Sequence, residues 1–147
     1  MTEPASANVF LDEYRTTFER FDVAAVAAFF AFPLQVTGDA ADVTVVSVPT
    51  VEAWLPQIER IVGAYRLLGV ATADARDVRV VAVTARIAQA TVNWVLRDGE
   101  GGVVYDFHAS YTLADLGAGH RITAIAHDES PKLMAAVARH RAGGTPA

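Results

Sequence analysis

The second half of the chain alternates apolar and polar residues with the two-residue period of β-strands, and this pattern constrains the fold more than any other feature. From Tyr105 to Leu113 every second residue is aromatic or aliphatic, and the residues between them are polar. Glycine-bearing segments at 98–102 and 115–119 separate this run from its neighbours, and hairpin loops need such residues. The pattern predicts an antiparallel meander with one apolar face.

The first half has the period of α-helices instead. Phe10, Tyr14, Phe18 and Phe21 recur at spacings of four and three, which places an aromatic stripe on one helix face. Helices followed by strands are typical of an α+β fold. The predicted helices span residues 8–20, 23–30, 51–68 and 131–141, and the predicted strands span residues 34–37, 43–48, 78–83, 87–97, 103–113 and 121–127.

Length and composition predict one domain over residues 1–147, with an ordered core at about 7–141 and flexible tails at 1–5 and 143–147. Apolar residues make up 52% of the chain and charged residues 20%. Such a chain either forms a large core or lines an apolar cavity.

Charge and residue usage exclude several classes of partner. The net charge is -5, and no basic stripe or basic membrane patch is present, so we expect neither nucleic acid nor a membrane as a partner. Cysteine is absent, and the four histidines lack the spacing of metal ligands, so we expect no metal and no cofactor. The absence of cysteine also fits a cytoplasmic location.

Two segments carry a resemblance to a known family. Residues 21–30, in which Asp22 starts a short apolar helix that ends in a Phe-Phe pair, and residues 109–128, which form a final hairpin, resemble the nuclear-transport-factor-2-like superfamily. This superfamily includes ketosteroid isomerase and the SnoaL-like cyclases, and the chain is most similar to an uncharacterised SnoaL-like subgroup. The resemblance implies a cone-shaped, strongly curved antiparallel sheet wrapped on N-terminal helices, with a C-terminal helix.

The same resemblance suggests where a reaction centre would lie. Tyr14 matches the tyrosine of the first helix in ketosteroid isomerase, whereas Gly38 stands at the position of the base, with Asp39 next to it, and Ala109 or Ser110 stands at the late-strand acid. The SnoaL-like cyclases imply an acid-base Asp on a late strand. By the two-residue period, Ile122, Ala124, Ala126 and Asp128 share the inward face of the last predicted strand, so Asp128 is the corresponding carboxylate.

Both candidate catalytic residues, Tyr14 and Asp128, have a second interpretation. Tyr14 either donates a hydrogen bond to a developing oxyanion or is a core tyrosine bonded to the backbone. Asp128 is either a general base with a raised pKa or a helix cap together with Ser130. The predicted ligand-binding residues are aromatic side chains that packing alone would also explain: Trp54, Tyr65, Trp94, Tyr105, Phe107 and Tyr111.

The functional hypothesis is therefore a small apolar molecule bound between sheet and helices, with a cofactor-independent isomerase, cyclase or dehydratase as the implied activities. The alternative is a non-catalytic interaction or ligand-carrier domain whose cavity is filled by its own side chains. The resemblance implies a homodimer in both cases.

Overall fold

The computed structural model describes residues 4–143, with side chains from residue 6 onward, and it contains four helices and six strands in this range. The helices are α1 (Pro4–Glu19), α2 (Val23–Ala27), α3 (Val51–Leu68) and α4 (Glu129–Gly143). The strands are β1 (Phe30–Asp39), β2 (Val43–Val48), β3 (Val70–Ala82), β4 (Ile87–Asp98), β5 (Val103–Asp115) and β6 (His120–His127). Of the predicted tails at 1–5 and 143–147, residues 1–3 and 144–147 lie outside the described residues, whereas α1 includes residues 4–5 and α4 includes residue 143.

The strands form one curved, unclosed sheet in the order β2-β1-β6-β5-β4-β3. Every neighbouring pair is antiparallel except β1 and β6, which run parallel because the chain crosses from the first hairpin to the meander through α3. This mixed sheet, packed on the N-terminal helices and followed by a C-terminal helix, confirms the predicted fold class and corrects its all-antiparallel pairing.

The second helix is shorter than predicted. Asp22 caps it as expected, since its carboxylate accepts a hydrogen bond from the Ala25 N–H at 3.1 Å. The helix ends at Ala27, however, and β1 begins at Phe30. Pro33, which cannot donate to a ladder, lies where β1 shifts its register with β6, between Phe30 and Gln35. The strand therefore passes through the proline without losing a paired donor.

The third helix has the predicted bounds, 51–68. Thr50 accepts a hydrogen bond from the Ala53 N–H, and Gly69 ends the helix in the left-handed conformation at φ 74°. The chain then enters β3 at Val70, eight residues earlier than the predicted strand start at Val78. The early part of β3 was missed because it is rich in alanine and polar residues, and Asp77, at φ 52°, interrupts its pairing with β4.

The alternation in β4 and β5 is confirmed. Val92, Trp94 and Leu96 are buried on one face of β4, while Thr91 and Asn93 occupy the other face. On β5 the five residues predicted to face the helices are all buried: Tyr105, Phe107, Ala109, Tyr111 and Leu113. The apolar face of the meander meets the aromatic stripe of α1.

The alternation in β6 is broken, and the predicted face of its last residues is wrong. Thr112 pairs with Ala124 but Leu113 pairs with Ile122, so Thr123 is an extra residue in β6. Beyond it, Ile125 is buried and Ala126 is exposed. A single inserted residue exchanges the two faces of a strand, so the residues after Thr123 point opposite to the prediction.

The C-terminal helix begins at Glu129, two residues before the predicted start at Pro131. It contacts β5, β1 and α3, and it buries Glu129 and Ala136. None of the described helices is long and apolar enough to span a membrane.

Candidate functional site

A cavity of about 130 Å³ lies between the apolar face of the sheet and helices α1, α3 and α4. Its wall is mostly apolar, and the aromatic part of it, the aromatic wall, consists of Tyr14, Phe18, Phe21, Phe30, Trp54, Tyr65, Trp94, Phe107 and Tyr111. The wall also includes the charged or titratable side chains of Arg15, Glu19, His127 and Glu129. Ala71, Thr72 and Ser130 belong to the wall and are exposed, so the cavity reaches the surface beside the start of β3 and the first turn of α4.

Glu129 is the buried carboxyl group of this cavity. Its side chain is 9% exposed, and its Oε2 accepts hydrogen bonds from the Tyr65 hydroxyl and, at 2.8 Å, from the Tyr105 hydroxyl. Among the described residues no arginine, lysine or histidine forms an ion pair with Glu129, and none donates a hydrogen bond to Oε1. One oxygen is thus held by two tyrosines while the other stays available.

Burial raises the pKa of Glu129 above its ordinary value, because a charged carboxylate is poorly solvated among aromatic rings. The hydrogen bonds from Tyr65 and Tyr105 favour the charged form and offset part of this rise, while the charge of Asp128 adds to it. A carboxyl with a raised pKa is a stronger base when ionised, and it can return the proton that it takes. This property is typical of carboxyl groups in proton-transfer sites.

His127 precedes Glu129 by two residues and holds its backbone. The Nδ1 atom of His127 accepts a hydrogen bond from the Glu129 N–H at 3.1 Å, which requires that the proton of the neutral ring lie on Nε2. Burial lowers the pKa of His127 below its ordinary value, against the opposing effect of the nearby Asp128. The neutral ring that this contact needs is therefore the favoured form in the folded protein.

Tyr14 lies at the centre of the aromatic wall. Its ring contacts Phe18, Phe29, Phe30 and Tyr111 edge to face, with centroids 5.6–5.9 Å apart. Its ring lies beside that of Tyr111, and among the described residues its hydroxyl forms no hydrogen bond with the backbone. Burial raises the pKa of Tyr14, so it stays a neutral donor.

Tyr111 accepts a hydrogen bond from the indole Nε1 of Trp94, at 2.8 Å. Trp54 differs, since its Nε1 is buried and has no hydrogen-bond partner among the described residues. The two tryptophans of the chain therefore present one satisfied and one unsatisfied indole N–H in the same wall.

The structure brings most of the predicted ligand-binding residues together. Five of them line the cavity, namely Trp54, Tyr65, Trp94, Phe107 and Tyr111, and the sixth, Tyr105, contacts Glu129 through its hydroxyl. Tyr14, one of the two candidate catalytic residues, lies in the same wall.

Asp128, the second candidate catalytic residue, does not face this cavity. It lines a groove on the other side of the sheet, where its Oδ1 accepts a hydrogen bond from the His108 N–H at 2.7 Å and its Oδ2 lies 3.5 Å from the His108 ring. Asp39 and Ser110 line the same outer groove. Asp128 directly precedes α4, and its role as a helix cap stays a prediction.

Glu129 is the residue that sequence reasoning missed. The alternation of β6 assigned the inward position to Asp128, but the extra residue Thr123 gives it to His127 and then to Glu129. The available signal was the three-residue spacing of Ile122 and Ile125, the two large apolar residues of the strand. A regular strand would bury both only at an even spacing.

The comparisons with known proteins agree with this architecture. The model of a family described as NTF2-like protein (DUF6841) matches residues 3–130. A search of the curated proteins found no match.

Among solved structures, the chain is similar to an NTF2-like protein of unknown function from Shewanella oneidensis, with a TM-score of 0.67 and 10% identity over 84% of this chain and 97% of that one. It is also similar to an NTF2-like protein with a cystatin-like fold from Novosphingobium aromaticivorans. The TM-score is 0.66 and the identity is 16%, over 90% of this chain and 87% of that one. For a proposed dehydratase of the NTF2-like family from Streptomyces avermitilis, the TM-score is 0.62 and the identity is 15%, over 84% of this chain and 93% of that one. At these identities the likeness concerns the fold alone.

Proposed function

We propose a function for this chain, which belongs to the NTF2-like protein family DUF6841: it binds a small apolar molecule in the cavity between sheet and helices and moves a proton on it with Glu129. The observation that carries this proposal is the position of Glu129. A carboxyl group 9% exposed, without a cationic partner among the described residues, lies in an aromatic wall that reaches the surface.

The proposed chemistry needs no cofactor. The ionised Oε1 of Glu129 takes a proton from a carbon next to a carbonyl group, and the electron pair of the C–H bond moves toward the carbonyl oxygen. Glu129 then returns the proton to the same molecule at another atom, which completes an isomerisation. Removal of a proton next to a carbonyl is also the first step of many dehydrations and cyclisations. Glu129 could therefore serve as the base in an isomerase, a dehydratase or a cyclase.

The size of the cavity limits the ligand. About 130 Å³ is close to the volume of cavities in protein cores that hold benzene. The enclosed part therefore accepts about one ring, and any larger molecule extends toward the surface near Thr72 and Ser130. We infer a ligand of one ring with a short substituent.

A second candidate function is a domain without turnover, in which the side chains fill the cavity. The observation in its favour is that three tyrosine hydroxyls already bond to neighbours: Tyr65 and Tyr105 donate to Glu129, and Tyr111 accepts from Trp94. A wall whose hydroxyl groups are satisfied in this way is also what a purely structural core requires.

We further propose that the chain forms a homodimer. Val43 and Val45 of the edge strand β2 are 66% and 61% exposed, and Val81 of the opposite edge strand is 62% exposed. Exposed apolar residues on strands at the edge of a sheet favour association with a second chain.

A thermal-shift screen tests the ligand-binding proposal. Single-ring ketones, phenols and hydrocarbons are compared on the wild type, on Glu129→Gln, which keeps the shape of the side chain, and on Asp128→Asn as the matched control outside the cavity. At a hundredfold excess over its dissociation constant a ligand adds about 2.7 kcal/mol of stability, or roughly 5–10 °C for a domain of this size.

We expect a ketone to stabilise the wild type and Asp128→Asn alike, and to stabilise Glu129→Gln by a different amount. If no compound class raises the melting temperature of any folded variant, the result favours the domain whose side chains fill the cavity. A ligand whose effect depends on Asp128 and not on Glu129 would move the site to the outer groove.

A further inference from the structure

Phe21 has a backbone conformation that large side chains rarely adopt. Its φ is 57°, in the left-handed region. Within residues 4–143 the other non-glycine residue with a positive φ is Asp77, and aspartate tolerates this conformation because its short polar side chain can bond to the nearby backbone. Phenylalanine has no such compensation, so the backbone at Phe21 is strained.

The end of α3 shows that the turn itself does not require this strain. The Phe21 N–H bonds to the carbonyl oxygen of Phe18 at 3.0 Å, three residues earlier. In the same way, the Gly69 N–H bonds to the carbonyl oxygen of Arg66 at 3.2 Å. Glycine adopts a positive φ without strain, so a glycine at position 21 would end α1 as Gly69 ends α3. The geometry of the helix end therefore does not explain a phenylalanine here.

The Phe21 side chain lies at the opening of the cavity beside β3. It lines the cavity and is partly buried against the core. Two residues earlier, Glu19 accepts a hydrogen bond from the Ala73 N–H at 2.8 Å, which places this end of α1 next to the start of β3. The exposed wall residues Ala71 and Thr72 belong to the same stretch of β3.

Two contacts fix the width of this opening. The guanidinium of Arg66, an exposed residue outside the cavity wall, lies over the Phe21 ring with its Cζ 5.2 Å from the ring centroid. Glu19, which ties α1 to β3, also accepts a hydrogen bond from Nη1 of Arg15 at 3.0 Å. The ring and the helix end are thus each held by a contact that would be lost if they moved aside.

Resting on the proposed function, we propose that Phe21 is a specificity-determining residue: its ring narrows the opening beside β3 and restricts the ligand to one ring. The enclosed volume of about 130 Å³ accepts about one ring, so a second ring would have to pass the opening. Strained residues persist only where the surrounding structure holds them, and they cluster at functional sites. Placing a large side chain at this point of the wall requires the strained backbone.

A pair of ketones tests this proposal: cyclohexanone and 4-phenylcyclohexanone, which carries a second ring on the carbon opposite the carbonyl. For each ketone, the exchange of the α-protons in D₂O is followed by NMR and divided by the buffer rate. Phe21→Gly and Phe21→Ala remove the ring, and Phe21→Tyr keeps it. Leu68→Ala is the control, because it shortens another partly buried side chain, at the end of α3, that is not part of the cavity wall.

We expect the wild type to accelerate the exchange of cyclohexanone more than that of 4-phenylcyclohexanone. In Phe21→Gly and Phe21→Ala the acceleration of the two-ring ketone relative to the one-ring ketone rises roughly tenfold, whereas Phe21→Tyr and Leu68→Ala keep the wild-type ratio. Phe21→Gly melts about 3–5 °C above Phe21→Ala, because both variants lose the same ring and differ in backbone strain.

The results that would overturn the proposal differ in what else they affect. If the wild type accelerates the exchange of both ketones equally, or if the ratio in folded Phe21→Gly and Phe21→Ala equals that of the wild type, Phe21 does not limit the ligand and only this inference fails. If no protein accelerates the exchange of either ketone, the proposed proton transfer fails with it.

Discussion

The surroundings of Glu129 have two opposing effects on the pKa of its carboxyl group. The aromatic surroundings disfavour the charged carboxylate, whereas the hydroxyls of Tyr65 and Tyr105 favour it, and burial is the larger effect on the pKa. A fully hydrogen-bonded carboxylate on the surface would stay ionised and be a weak base. The raised pKa makes the ionised Glu129 a stronger base than an exposed carboxylate.

The raised pKa of Glu129 predicts a specific pH dependence of stability. The folded protein keeps this proton at pH values where the unfolded chain has already lost it, so the unfolded state binds fewer protons and the free energy of unfolding falls as pH rises. The fall begins above the ordinary value of 4.5 and ends once pH exceeds the folded pKa. Its slope is at most about 1.4 kcal/mol per pH unit.

Urea denaturation of the wild type and Glu129→Gln at a series of pH values from about 4.5 upward measures this effect. All other groups titrate in both proteins, so the difference between the two free energies of unfolding isolates Glu129. We expect the advantage of the wild type to shrink as pH rises. Parallel curves would show that burial does not raise the pKa of Glu129.

At the scale of secondary-structure elements, α3 is the element that the local sequence determines best. Thr50 caps its start, Gly69 ends it, and the buried stripe between them carries Trp54 and Tyr65 into the wall. Its bounds follow from the capping residues and from the period of the apolar residues, both of which act within a few residues along the chain. The placement of two wall residues is thus encoded locally.

Two glycines, Gly63 and Gly69, test whether nearby residues set the end of α3. Gly69 has φ 74°, and a Cβ added there would meet no atom within 4 Å, so Gly69→Ala costs about 1 kcal/mol through backbone strain alone. Gly63 lies inside α3, is exposed and is equally uncrowded, so Gly63→Ala stabilises by about 0.5–1 kcal/mol.

Chemical denaturation of both variants checks this prediction, with Gly69→Asn as the control, because asparagine tolerates the left-handed conformation better than alanine. We expect the order of stability Gly63→Ala, wild type, Gly69→Asn, Gly69→Ala. Equal effects of the two alanines would mean that α3 does not end at Gly69 as described.

The strands differ in how well the sequence predicts which of their residues face the cavity. Over most of β4 and β5 apolar and polar residues alternate, so Trp94, Tyr105 and Tyr111 were placed on the correct face. In β6 the face depends on an extra residue at Thr123, and its evidence along the chain is the spacing of Ile122 and Ile125 alone. Pairing with β5 fixes this irregularity, and pairing is a long-range property that periodicity does not contain.

For the whole molecule, β2 and β3 are the two edges of the sheet within residues 4–143, and the cavity lies against one face of this sheet. β2 and β3 each pair with a single neighbour, and the outer face carries a groove lined by polar residues of several strands. Val43 of β2 lines this outer groove, so this part of the proposed dimer surface and the cavity lie on opposite sides of the sheet. Association through the outer face would leave the proposed ligand site accessible.

Light scattering at high micromolar concentration tests the proposed homodimer. We expect a mass twice that of the chain, 15.7 kDa, for the wild type. Val45→Glu places a charge on the exposed side of β2 and should shift the equilibrium toward the monomer, whereas Val9→Glu changes an equally exposed valine on α1 and should not. A monomeric mass for the wild type at this concentration would contradict the proposed homodimer.

The most direct test of the central claim, proton transfer by Glu129 in the cavity, is the exchange of the α-protons of 2-cyclohexenone in D₂O, followed by NMR with wild type, Glu129→Gln and Asp128→Asn. The account predicts that wild type and Asp128→Asn accelerate exchange above the buffer rate and that Glu129→Gln, folded to the same extent, loses at least about tenfold of this acceleration. Equal acceleration by wild type and Glu129→Gln, or none by any of the three proteins, would contradict it.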